Sequence, residues 1–295
     1  MAFTLSRCLI VAAFFIAQAA ASAAPGETAK IRVVTSISPL ADMVANVGGR
    51  RVAVANFVPV DVDPHTFEPT FSSLSEISRA QVIILNGDDL DRAARQSLMA
   101  LASKGCLVVD LSQSIPASRK NKIDPHYWLD LQFAQIYVSA IARALAKVDP
   151  AHAQYFQDNA GRYARRITEL DSRYASLCAK LPARCKSIIL YHNSWTYLAT
   201  RYGFNVVGII EASGTREPSA RSLAMLIRRA RAAGARAILA EPGHGSRILE
   251  TVRQGAAVPR VLEMIEDSLR APPCNTYLGM MEADLKKLAV DICKD

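Results

Sequence analysis

The sequence predicts an α/β protein of two lobes, each with a parallel-type sheet flanked by helices, linked by one long backbone helix. Three observations lead there. Short apolar, β-branched runs recur through both halves and alternate with helical segments, the pattern of strands buried on both faces of a parallel sheet. Between the halves lies one amphipathic stretch, 149–182, with large apolar residues at helical spacing. Histidines follow strand ends in both halves, where open parallel sheets bind their ligands.

Residues 1–23 carry a single charge, Arg7, then an apolar run from Cys8 to Ala17 and the small residues Ala21, Ser22 and Ala23. This is a cleaved secretory signal peptide. Its apolar core is well short of the roughly 20 residues that a spanning helix needs, and Cys8 stands too early to carry a lipid anchor. The N-terminal lobe, 24–148, has strands at 31–36, 52–58, 81–86 and 106–111, with helices at 38–49 and 89–105. Asp130 caps a further helix, LQFAQIYVSAIARALAKV. In the linking helix, 149–182, Phe156, Tyr163, Ile167, Leu170, Tyr174 and Leu177 form one stripe, and Pro150 and Pro182 bound it. About 30 residues at 1.5 Å each span roughly 45 Å. The C-terminal lobe, 183–295, has strands at 186–192, 205–210, 235–241 and 256–263, with helices at 194–203, 219–234 and 246–255.

The formal charge of +8 comes from scattered basic residues. The runs Arg165-Arg166 and Arg228-Arg229-Arg231 read as solvated helix faces, and an exported chain has little nucleic acid to meet. Beyond the signal peptide stand Cys106, Cys178, Cys185, Cys274 and Cys293. The number is odd, so at least one thiol is free. Cys106, opening a strand, is the natural buried thiol; Cys178 with Cys185 and Cys274 with Cys293 are the simplest pairs by proximity in the chain.

Of five histidines, two sit in the same tripeptide, Asp-Pro-His, at 63–65 and 124–126. Asp-Pro is ordinary turn chemistry, and a lone loop histidine is commonly just hydrogen-bonded. The set carries the weight: His65, His126 and His192 all lie beyond strands and come from both halves. Imidazole is the commonest protein ligand for first-row metals. A carboxylate after the last strand, Asp267, would complete the shell, with Glu266 and Glu241 the other contenders. Three imidazoles and a carboxylate suit zinc, with manganese or iron(II) less favoured. His152 belongs to the start of the linking helix; His244, after the strand ending in Glu241, stays open. A zinc-dependent hydrolase is the rival class, but no HExxH, GxSxG or Cys-His pair is present. A carrier of metal chelates would want a wide basic or aromatic cleft rather than converging histidines.

These motifs resemble the zinc/manganese substrate-binding proteins of metal-importing ABC transporters over nearly the whole exported chain. DVDPHTFEPT, HYWLD and YHNSWTYLATRYGFNV resemble the family's three ligand motifs, which places ligands on His65, His126 and His192. EDSL resembles the last motif and carries the acidic ligand over to Asp267. AEPGH resembles a further signature of the second lobe. Leu131 stands where the family often has proline, and no histidine-rich loop lies between His65 and His126. The resemblance implies a monomeric, non-enzymatic carrier that captures a divalent metal in the periplasm and delivers it to a membrane permease.

Overall fold

Pairing of the apolar runs produces two four-stranded sheets, each wholly parallel. They are seen in a computed structural model that describes residues 29–294 apart from 103–104, 122–123, 212–217 and 244–246. The signal-peptide reading of 1–23 and the open question of His244 therefore fall outside the described residues. In chain order the N-terminal lobe contains β1 (Ile31–Thr35), α1 (Ser38–Gly48), β2 (Val52–Asn56), α2 (Phe71–Arg79), β3 (Val82–Leu85), α3 (Arg92–Leu101), β4 (Leu107–Asp110) and α4 (Leu131–Val148). The long helix α5 runs from Ala153 to Ala179. The second lobe follows with β5 (Ser187–His192), α6 (Thr196–Arg201), β6 (Asn205–Glu211), α7 (Ala220–Ala232), β7 (Ala237–Ala240), α8 (Arg247–Gly255), β8 (Arg260–Glu263) and α9 (Tyr277–Lys286), which ends in a π turn, Lys287–Asp291.

The strand orders are β2-β1-β3-β4 and β6-β5-β7-β8. In each sheet the chain leaves its first strand to one side and then returns to the other. A crevice therefore opens at the carboxyl ends, between β1 and β3 and between β5 and β7. Strand side chains alternate between two cores. Val82 and Ile84 of β3, and Ile188 and Leu190 of β5, join one core that runs through both lobes and includes α1, α4, α5 and α9. Ile83 and Leu85 face a second core with α2 and α3, and Ile189 and Tyr191 a third with α7 and α8.

Helix α5 spans 27 residues, about 40 Å. Pro150–His152 forms a separate 3-10 turn ahead of it, with His152 Nδ1 2.8 Å from Asp149. Its buried stripe is Phe156, Ala160, Tyr163, Ile167, Leu170, Tyr174 and Cys178; Leu177 is partly exposed. Toward its start, Asn159 donates to the Val47 carbonyl (2.8 Å) and Tyr163 to Asp42 (2.9 Å), both on α1. Farther along, Asp171 accepts from Arg201 Nε (2.6 Å) and the Tyr202 hydroxyl (2.9 Å), and Tyr174 donates to the Glu282 carbonyl (3.3 Å). One rigid element thus grips both lobes.

Three differences from the sequence reading have local causes. The last strand begins at Arg260 rather than 256, because Ala256 and Val258 donate to the carbonyls of Val252 and Arg253 and finish α8, with Ala257 left-handed (φ 56°). Helices α2 and α9 were not anticipated. Both carry a threonine N-cap: Thr70 accepts from Ser73 N and Thr276 from Gly279 N. In α9, Tyr277, Met280, Met281, Asp284 and Leu285 are buried at helical spacing. Asp130 caps α4 as expected, accepting from Gln132 N at 2.8 Å. Among the described residues no helix is long and apolar enough to cross a membrane.

The disulfide is Cys185–Cys293, which replaces both pairs suggested by chain proximity. Cys178 lies on the buried stripe of α5, and Cys274 is also buried; Cys106, Cys178 and Cys274 are thiols. Cys185, one short turn later, meets the C-terminal residues, which Arg236 and Arg260 hold by their carbonyls at Ile292 and Asp291. The bond closes a sequence separation of 108 residues. Cys293→Ala is expected to lower unfolding free energy by roughly 2–4 kcal/mol in denaturant titration. Alkylation of the denatured, unreduced protein should mark Cys106, Cys178 and Cys274 and spare Cys185 and Cys293, read by peptide mass spectrometry.

Candidate metal centre

The two Asp-Pro-His turns are built alike. Asp63 Oδ1 accepts from the backbone N–H of His65 (2.8 Å), and Asp124 Oδ1 from that of His126 (3.0 Å). In each, the carboxylate closes an Asx turn and the proline fixes the chain, so the histidine is presented at a set angle. They differ in burial. Asp63 is exposed, and its second oxygen accepts from the Thr66 hydroxyl (3.1 Å). Asp124 is buried, and its Oδ1 also lies 2.8 Å from His126 Nδ1. That bond places the Nδ1 proton toward Asp124 and leaves Nε2 as the outward-facing donor atom.

His65 lies in the connection from β2 to α2, His126 in that from β4 to α4, and Glu266 in that from β8 to α9; His192 is the last residue of β5. All four therefore stand at or beyond strand carboxyl ends, and His192 ends the strand at which its sheet reverses order. One ligand atom from each of His65, His126, His192 and Glu266 falls within 4.8 Å of the others. His65 Nε2 is 3.2 Å from His126 Nε2, Glu266 Oε1 is 2.8 Å from His126 Nε2, and the same oxygen is 3.9 Å from His192 Nε2. The three rings meet edge to face, with centroids 5.2 to 5.5 Å apart.

The donor set fits a divalent cation. His192 Nε2 and Glu266 Oε2 are buried without a hydrogen-bond partner, a costly state for polar atoms unless something else binds them. A cation within the cluster would satisfy both. Electrostatics point the same way. Burial, followed by the neighbouring rings of His126 and His192, pushes His65 down to about 4. Burial likewise lowers His192. Burial also disfavours charge on His126, but Glu266 and Asp124 outweigh it and raise that ring; burial disfavours charge on Glu266, and His126 outweighs it and holds the carboxyl low. The metal-free cluster is thus one charged His126–Glu266 pair flanked by two neutral imidazoles.

The structure gathers the three predicted histidines but takes its carboxylate from Glu266 rather than Asp267. The two neighbours lie just past β8, and it is Glu266 that is enclosed beside the rings, while Asp267 is half-buried. Burial, then repulsion from Glu266, raises Asp267 to about 7. Glu241 is likewise outside the cluster, raised to about 9 by burial and then by Glu266 and Asp267. The role of Asp124 was not read from the sequence, although its signal was there: an aspartate two residues before a histidine in a turn can reach both the backbone N–H and the ring.

Because His126 is raised in the metal-free protein while His65 and His192 are lowered, a metal entering at pH 7 must expel the His126 proton. Affinity should therefore rise with pH from the acid side. Calorimetric titration in buffers of different ionisation enthalpy should show roughly one proton or more released per ion. Zero release would mean that His126 is already neutral.

Comparison with known proteins agrees with this geometry. The family model "ZnuA: Zinc-uptake complex component A periplasmic" matches residues 33–290. A putative metal-binding protein of Treponema pallidum is 29% identical over 286 residues, 88% of this chain and 90% of its own length. The manganese ABC transporter substrate-binding lipoprotein PsaA of Streptococcus pneumoniae is 26% identical over 281 residues, 90% of either chain. Among solved structures, the periplasmic zinc binding protein TroA from Treponema pallidum shares the fold, with a TM-score of 0.80 at 24% identity over 90% of this chain and 100% of that one. The chain belongs to the ZnuA family of metal-binding substrate proteins of ABC transporters, which capture divalent metal outside the cytoplasm for import and are not enzymes.

Proposed function

We propose that this protein captures zinc with His65, His126, His192 and Glu266, and hands it to the permease of an ABC transporter. The observation that carries the reading is the convergence of one ligand atom from each of four side chains within 4.8 Å, with His192 Nε2 and Glu266 Oε2 buried and without a hydrogen-bond partner. Zinc is favoured by three imidazoles and one carboxylate, a donor set that matches tetrahedral N/O coordination. Asp124 supports the choice by fixing His126 in the tautomer that offers Nε2 and by raising its basicity. Export by a cleaved signal peptide at 1–23, a lobe at 24–148, a linking segment at 149–182 built around α5 and a lobe at 183–295 complete the proposal, with the protein acting as a monomer.

A second reading, manganese or iron(II), has its own observation. Glu266 Oε2 has no partner, so the carboxylate is able to bind through both oxygens and raise the coordination number, which suits harder ions. The manganese-named relative adds weight to it.

Metal-free protein titrated with zinc, manganese and iron(II) in competition should rank zinc first. His65→Ala, His192→Ala and Glu266→Gln should each weaken zinc binding by roughly 100-fold or more, and Asp267→Asn by only a few-fold. A large loss in Asp267→Asn with none in Glu266→Gln would move the carboxylate ligand to Asp267. Unchanged affinity in all the histidine variants would remove the site altogether.

A further inference from the structure

Glu266 belongs by sequence to the second lobe, yet the segment that carries it is bonded to the first. The Trp128 indole N–H donates to the Glu266 carbonyl at 2.7 Å, in the buried interior. The Ser38 hydroxyl, at the start of α1, accepts from Leu269 N at 2.7 Å and lies 3.4 Å from the Asp267 carbonyl. Asp61 N donates to the Ser268 hydroxyl at 3.1 Å, and the Asp61 carboxylate pairs with the Arg270 guanidinium at 2.6 Å. Every residue from Glu266 through Arg270 thus has a partner in the N-terminal lobe. Asp61 itself lies four residues before His65 and holds a left-handed backbone (φ 64°), so one tight turn ties the two ligand-bearing connections together.

His192 is held differently. It is the final residue of β5, in register with Glu211 of β6, and its carbonyl accepts from Ser194 N. Its backbone is placed by the second sheet, and only its ring reaches His65 and His126. The two lobes therefore do not contribute two ligands each in mechanical terms.

We propose that Ser38, Asp61 and Trp128 are positioning residues for Glu266, fastening its segment to the first lobe so that His65, His126 and Glu266 form one platform and His192 alone travels with the second sheet. The inference rests on Glu266 being a metal ligand. Loosening the platform then frees Glu266 to swing, and the ion leaves faster through loss of that one ligand.

The test is the rate of zinc loss from the intact, zinc-loaded protein into excess chelator, followed by stopped flow. Ser38→Ala strands the Leu269 N–H and is expected to speed loss roughly fivefold or more. Asp61→Asn removes the ion pair while keeping its backbone bond to Ser268, and should act in the same direction, more weakly and with reduced salt dependence. Ser38→Thr, which keeps the hydroxyl, should restore the rate. The deciding measurement repeats Ser38→Ala and Asp61→Asn in a Glu266→Gln background, where both effects should vanish because the residue they act through is gone. Equal acceleration in both backgrounds, or none in either, overturns the proposal. Zinc loss that is unchanged by Glu266→Gln itself instead removes Glu266 from the ligand set, and with it the reading on which the proposal stands.

Discussion

Both sheets bury a face in one common core, together with α1, α4, α5 and α9, and the rest of the molecule follows from that shared burial. Because β1, β3, β5 and β7 lean on one common core, their carboxyl ends are held at a fixed separation. The connections leaving those ends must then meet over a narrow crevice. Polar contacts along α5 reinforce the arrangement. Asp171 receives Arg201 and Tyr202 from the second lobe, while Asn159 and Tyr163 bond α1 of the first. A hinge of flexible strands would allow wide opening; a helix packed along its length by aromatic side chains confines the lobes to small tilts.

Within the crevice the metal-free protein carries a loaded electrostatic arrangement. Asp124, His126 and Glu266 form a buried line in which one ring lies 2.8 Å from a carboxyl oxygen on either side. Such a line is costly to desolvate and is tolerated because each charge has a partner. It also defines what a cation must do on entry. It takes the place of a proton between His126 and Glu266, and recruits two imidazoles that burial has already kept neutral. Burial, and after it the negative charge of Glu266, raises both neighbouring carboxyls, Asp267 to about 7 and Glu241 to about 9.

Much of the fold was legible because buried parallel strands declare themselves as short aliphatic runs, and α5 as a long stripe from Phe156 to Tyr174. What was misread depended on contacts between distant segments. Cys185 and Cys293 are far apart in the chain, and nothing near either residue announces the other. The strand expected from 256 starts late because a left-handed Ala257 belongs to the helix before it, a detail that an apolar pattern cannot show. At the site, the histidines were readable from repeated turn chemistry and strand ends. The choice between two neighbouring carboxylates was not. It turns on how the segment after β8 lies, and the partners of that segment, Trp128 and Ser38, stand more than a hundred residues upstream.

The common core has a further consequence, for the way the molecule comes apart. Chains with two sheets are often pictured as two domains that melt separately. Here neither sheet owns a complete hydrophobic interior, since each shares one layer with the other through α4, α5 and α9. Losing either lobe would expose the inner face of its neighbour. A chain built this way is expected to unfold as one cooperative unit, two-lobed in shape but with one heat-absorption transition.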